Sequence, residues 1–201
     1  VFLILECGGN VHDRDYDGFT PLIWAATCGH VQVVNHLLSH GSDIHHRIHE
    51  GDTALHSATF QGRLAVVQAL LDHGARINDK DYSGCSALHL AVSNGSTDIV
   101  RLLIDRGCNI HETNKYGRDA ALGIAVRCGY EEIVCMLIDR GANVCDRNEH
   151  GQTSLMVAAQ CTVSRASIIQ RLVRAGFSME ERDRDGNTVL FIAARWGCYE
   201  N

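Results

Sequence analysis

An all-α solenoid of stacked helix–turn–helix units, joined by short β-hairpin-like loops, is the fold this sequence predicts, and three observations predict it. Gly8, Gly41, Gly74, Gly107, Gly141 and Gly176 recur every 33 to 35 residues, and a second series, Gly18, Gly51, Gly84, Gly117, Gly151 and Gly186, keeps the same step. Between the two series a phrase returns: Thr20-Pro21-Leu22, Thr53-Ala54-Leu55, Ser86-Ala87-Leu88, Thr153-Ser154-Leu155 and Thr188-Val189-Leu190. An alanine then stands three residues after each leucine, and after Leu122 of the fourth repeat, at Ala25, Ala58, Ala91, Ala125, Ala158 and Ala193. A fixed period of this size marks an array of stacked repeats.

The elements follow in order. Residues 1–12 read as the end of a second helix with its glycine turn. Full repeats are expected at about 13–45, 46–78, 79–111, 112–145 and 146–180, with 181–201 opening another, all in one array over 1–201. Within a repeat, the glycine before the Thr allows a tight reversal. The Thr or Ser hydroxyl caps the first helix, and Pro21 suits its first position, where no donor is needed. Leu and Ala face the stack. The second helix is apolar at i, i+3 and i+4, as in Val34, Leu37 and Leu38 or Val67, Leu70 and Leu71. It ends on a glycine suited to a left-handed cap. Two repeats depart: the fourth has one extra residue in the turn Arg118-Asp119-Ala120, and the fifth puts Thr162 in place of a glycine and lengthens Cys161–Ala166. Insertions of this kind fall in loops and leave the core register intact. Neither end reads as the polar cap an array needs, so a piece of a longer array is expected.

The phrase and its period resemble the ankyrin repeat, whose signature is T-P-L-H-x-A at 33 residues. The resemblance spans essentially the whole chain. It implies that His56 and His89 are structural rings tying the Thr or Ser to neighbouring backbone. It also implies a concave contact strip of hairpin tips and first-helix ends. Carried over position by position, that strip contains Tyr16, Asp17, Phe19, His49, Glu50, Phe60, Tyr82, Ser83, Tyr116, Arg127 and Trp196. Asn78, with Leu70 eight residues before it, resembles a site modified by an asparaginyl hydroxylase.

Composition narrows the classes. With 18 basic and 24 acidic side chains the net charge is −6, unlike a protein that lives on phosphate contacts, so nucleic acid is not an expected partner. No apolar run approaches the ~20 residues of a membrane span. Nine cysteines without a C-x-x-C pair suit reduced thiols and a cytoplasmic or nuclear setting. No Walker, zincin, nucleophile-elbow or dinucleotide motif is present, so neither catalysis nor a cofactor is expected.

Two patterns suggest metal and lose on inspection. Asp13, Asp15, Asp17 and Gly18 form half of a calcium loop, but its twelfth position, where a bidentate Glu is needed, is Trp24. Asp79, Asp81 and Gly84 repeat the half-match and end on Leu90. His36 and His40 share a helix face at a spacing zinc accepts. A helix C-terminus that favours imidazolium explains His40 better, and no metal site is expected.

The sequence therefore predicts a non-catalytic scaffold, monomeric, that binds another protein along the concave strip. The alternative is a regulatory or targeting module of a larger enzyme, ubiquitin-ligase adaptor or channel. Six of the twelve aromatics fall on the strip, the composition expected of interface hot spots. Residues 1–100 hold five basic and eleven acidic side chains, against thirteen of each in 101–201. A partner with a basic segment would be steered to the first three repeats.

Overall fold

Thr20, Thr153 and Thr188 each accept a hydrogen bond from the backbone N–H three residues on, at 3.4 Å. Thr53 and Ser86 go further and form reciprocal capping boxes with His56 and His89. In the computed structural model these caps open five of the repeats and fix where their first helices start. Residues 2–115, 120–143, 146–160 and 165–197 are described. The inserted residues Arg118 and Asp119 and the stretch 161–164 lie outside them, as do Tyr116, Gly117 and Cys145.

Twelve helices are present among the described residues, and they group into two units, 1–108 and 109–201. The first holds α1 (Phe2–Glu6), α2 (Pro21–Cys28), α3 (Val31–Ser39), α4 (Ala54–Phe60), α5 (Leu64–Asp72), α6 (Ala87–Ser93) and α7 (Thr97–Asp105). First helices α2, α4 and α6 pack in series, and second helices α3, α5 and α7 form a parallel series behind them. The second unit repeats the plan with α8 (Ala121–Cys128), α9 (Glu131–Asp139), α10 (Ser154–Ala159), α11 (Ala166–Arg174) and α12 (Val189–Trp196). The loops contain isolated antiparallel bridges, Lys80 with Ser86 and Thr113 with Ala120. The all-α helical-repeat solenoid expected from the periodicity is thus present, unit by unit.

The core is made both within each helix pair and between neighbouring pairs, α2 packing on α3 and on α4, and α8 on α9 and on α10. Leu22, Leu55, Leu88, Leu122 and Leu155 are all at most 3% exposed. Leu190 and Phe191 occupy the same region of α12, have no following helix pair among the described residues, and are 78% and 56% exposed. The contrast fits a repeat array in which a first helix is covered by its own second helix and by the adjoining pair. Arginines reinforce it. Arg47 Nη1 donates to the carbonyls of Gly51 (2.7 Å) and Lys80 (2.6 Å), and its Nη2 meets Asp79 at 3.0 Å. In the second unit Arg147 makes the same set of contacts, to Gly151, Arg182 and Glu181.

The fourth repeat lacks two of these devices. Ala120 at its N-cap makes no side-chain cap bond, and Gly123 stands where His56, His89 and Met156 stand. A cavity of about 10 Å³ opens beside them, lined by Ala120, Leu122, Gly123, Asn148, Gln152 and Ser154 among others. Restoring the missing groups is expected to stabilise the second unit. A Thr cap contributes about 1 kcal/mol, and replacing a mid-helix Gly with Ala a further ~0.5–1 kcal/mol. The urea midpoint of the Ala120→Thr, Gly123→Ala protein should therefore rise; a lower midpoint would mean the cavity is needed for packing.

Candidate protein-binding surface

The hairpin tips are built by short polar side chains that hold their own backbone. Asp15 Oδ1 accepts from the amides of Asp17 (3.1 Å) and Phe19 (2.8 Å). Asp81 accepts from Cys85, Asn148 from His150 and Gln152, and Asp183 from Asp185 and Asn187. These Asx turns explain the calcium-like half-motif: the carboxylates are spaced to close a turn. At the first tip Asp15 takes a third donor, the Trp24 indole N–H at 2.8 Å. That bond, ahead of the backbone amides, holds the Asp15 carboxyl below its ordinary range.

Successive tips lean on one another in the first unit. Tyr82 N–H donates to the Glu50 carbonyl at 3.1 Å, and its ring lies so close over Gly51 that a Cβ there would sit 2.8 Å from it. The His49 imidazole lies over Gly18 in the same way, more loosely, at 3.8 Å from such a Cβ. His46 Nε2 reaches the Gly18 carbonyl at 3.0 Å. Tyr16, on the first tip, is fully exposed, and Asp17 and Glu50 are exposed beside it and on the next tip. Tyr82 remains 63% exposed despite its contact, while Ser83 is half-buried. Phe19 is half-buried too, because Trp24 covers it with ring centroids 5.0 Å apart and planes tilted 31°. Phe60 closes α4 with 58% exposure, and its carbonyl accepts from the Asn94 side chain at 2.7 Å.

In the second unit, Arg127 is exposed at the end of α8 and Trp196 is 53% exposed at the end of α12. The Arg127 carbonyl accepts from Arg165 at 2.9 Å, the counterpart of the Asn94 and Arg63 bonds that tie first-helix ends to the following repeat in the first unit. Asn78 is exposed in the turn that follows α5.

Behind the second and third tips lies a buried polar group. His56 is 1% exposed. Its Nδ1 accepts from the Thr53 amide (3.3 Å) and hydroxyl (2.9 Å), and its Nε2–H donates to the Cys85 carbonyl at 3.3 Å, a tautomer assigned from these partners. Burial lowers the His56 pKa, partly opposed by Asp52 and Asp81, and burial raises that of Asp52. Burial also pushes the Cys85 thiol up to about 11, which keeps it protonated and unreactive. A depressed histidine is neutral in the fold, so its contribution is complete above the unfolded value of ~6.5 and is lost as pH falls below it. Asp52 acts with the opposite sign, its neutral form being favoured, in the more acid range above ~3.9. Lowering the pH from 7.5 to 5.5 should therefore lower the urea midpoint more in the native protein than in His56→Gln. Equal pH slopes would mean His56 protonates freely in the fold.

His36 and His40 do share a face, with ring centroids 4.3 Å apart. His40 Nδ1 is engaged with the His36 carbonyl at 2.9 Å, as a C-terminal cap would be. Among the described residues no group of three His, Cys, Asp or Glu side chains is placed to hold a metal ion, and no helix is long and apolar enough to cross a membrane. The residue that sequence reasoning misses is Trp24. It stands at the position of Ser57, Leu90, Ile124, Val157 and Ile192, where no rule of the repeat signals an exposed ring.

A family model described as ankyrin repeats in three copies matches residues 1–81 and 78–148. The chain belongs to the ankyrin-repeat family. Among solved structures it is similar to the ankyrin repeat domain of Bcl-3, described as a unique member of the IkappaB protein family. That likeness has 27% sequence identity and a TM-score of 0.85, and it covers 96% of this chain and 85% of that one. Comparison with curated proteins gives no match. Family and structural neighbour together support a protein–protein interaction module.

Proposed function

We propose that this ankyrin-repeat chain is a non-catalytic scaffold whose partner protein lies across the tips and first-helix ends of the first unit. The observation that supports it is the exposure of Tyr16, Phe60 and Tyr82 on successive repeats. Large rings on rigid elements offer contact area at low entropic cost. Asp17 and Glu50 stand beside them, and residues 1–100 have a six-charge acidic excess, so the partner presents a basic segment. On the second unit, taken by itself, the same reading makes the exposed first-helix ends Arg127 and Trp196 contact positions. A soluble, monomeric protein of the cytoplasm or nucleus fits this reading, as do thiols kept reduced.

The test is site-directed photocrosslinking. A benzophenone amino acid at Tyr82 or Phe60 should capture a discrete partner, which mass spectrometry then identifies. The same group at Gln68, exposed on the second helix α5, should capture none. Capture from Gln68 alone would move the partner to the second-helix face and reject the proposal.

A further inference from the structure

The first tip holds a feature that the repeat does not require. Asx turns recur at Asp15, Asp81 and Asp183, and at Asp15 a tryptophan indole joins the backbone donors. Trp24 is 49% exposed, so its ring contributes less to folding than a buried one would. Its orientation is nonetheless fixed twice, by the 2.8 Å bond to Asp15 and by the stack on Phe19. An indole held half in water by two neighbours is a pre-organised contact, which lowers the entropic cost of binding.

The surroundings specify what it would contact. Asp15 holds its negative charge against the indole edge, its acidity strengthened by that bond and the turn amides. Asp17 is exposed two residues further along the same turn, and Tyr16 between them is fully exposed. Glu50 is exposed on the adjoining tip. The indole edge meets the Asp15 carboxylate, and the turn amide of Asp17 is held by the same carboxylate. A π face in such an acidic turn attracts a cation, and a planar guanidinium can both stack on the ring and pair with a carboxylate through two N–H donors. An ammonium has no plane to stack and is more strongly hydrated. The chain's own Arg63, which belongs to the next repeat, directs its Nε to the Thr27 carbonyl and packs its stem against Gly29.

We infer that Trp24, oriented by Asp15 and Phe19, forms with Asp17 a subsite for an arginine side chain of the partner's basic segment. The inference rests on the interaction reading above and narrows its partner to one with arginine rather than lysine at this contact. Trp24 binds the guanidinium plane, Asp17 pairs with its edge, and Asp15 and Phe19 hold the indole in place.

Two fluorescein-labelled peptides of equal length and charge, (Arg-Gly)6 and (Lys-Gly)6, serve as probes of the full chain, with anisotropy read at 50 and 150 mM salt. The arginine peptide is expected to bind at least tenfold more tightly. Trp24→Leu should bring it to the level of the lysine peptide without altering the lysine affinity, and Asp17→Asn should weaken it three- to tenfold. In a Trp196→Phe background the Trp24 emission should shift on adding the arginine peptide and stay put with the lysine peptide. Urea midpoints close to that of the parent protein show that each variant is folded. Equal binding of the two peptides, both weakened by Glu50→Gln but not by Trp24→Leu, would overturn the arginine subsite while leaving the acidic interaction surface standing. Binding of neither peptide would overturn the subsite as well, and the photocrosslinking result would then stand or fall independently.

Discussion

Replacing Leu88 with alanine is expected to cost about 2–5 kcal/mol, the range for emptying a buried leucine site that can relax only in part. Leu88 is 1% exposed in α6, which packs against its own second helix α7 and against α4 of the preceding repeat. Its loss weakens both its own repeat and a contact between repeats. The control lies in the same chain: Leu190 holds the equivalent position in α12 with 78% of its surface open. Leu190→Ala should shift stability by no more than ~0.5 kcal/mol, as at ordinary surface sites. Urea unfolding followed by circular dichroism measures both. Equal shifts would contradict the burial of this leucine position by the packed helices of the array.

Gly51→Ala is expected to destabilise the first unit by more than Gly74→Ala, although both glycines have nearly the same backbone, with φ of +87° and +88°. An L-residue held at such an angle costs roughly 1–3 kcal/mol. At Gly74 nothing lies within 4 Å of the added methyl, so backbone strain is the whole effect. At Gly51 the methyl would also sit 2.8 Å from the Tyr82 ring and 2.8 Å from its backbone nitrogen. The ring can swing away, but the backbone cannot without loosening the hydrogen bond from the Tyr82 N–H to the Glu50 carbonyl. Urea midpoints again decide, and the double variant Gly51→Ala, Tyr82→Ala should recover only part of the loss. Full recovery would mean that ring contact alone sets the spacing of the tips.

The repeat, its helices and its core were legible in the sequence because each depends on residue type at a fixed interval. Thr20 caps, Leu88 is buried and His56 ties its turn, all where the phrase puts them. The surface was legible only in outline. Position in the repeat says that residue 16 or 82 sits on a tip, but it does not say that Tyr82 is propped on Gly51 while Tyr16 is fully open. Phe19, expected on an exposed strip, is half-covered by Trp24, five residues further on in the first helix. Nothing in the repeat marks Trp24 itself, since the bond that orients it joins a tip to a helix nine residues away. Such contacts depend on the direction of side chains, which periodicity does not encode. The long arginine bridges from Arg47 and Arg147 escape for the same reason.

The central claim is that exposed rings on successive tips and first-helix ends bind the partner without holding the fold together. The direct measurement is the affinity of the crosslinked partner, once purified, for Tyr16→Ala, Phe60→Ala and Tyr82→Ala, taken with the urea midpoint of each variant. Hot-spot truncation typically weakens association by ~2 kcal/mol or more, roughly thirtyfold. Tyr16, fully open to solvent, should change stability by no more than ~0.5 kcal/mol, and the other two by about 1 kcal/mol at most. Gln32→Ala and Gln68→Ala, exposed on α3 and α5, should leave affinity unchanged. Lost affinity with a nearly unshifted unfolding curve in the aromatic variants is the predicted result. Unchanged affinity in all three, with loss in the Gln32 and Gln68 variants, would contradict the claim.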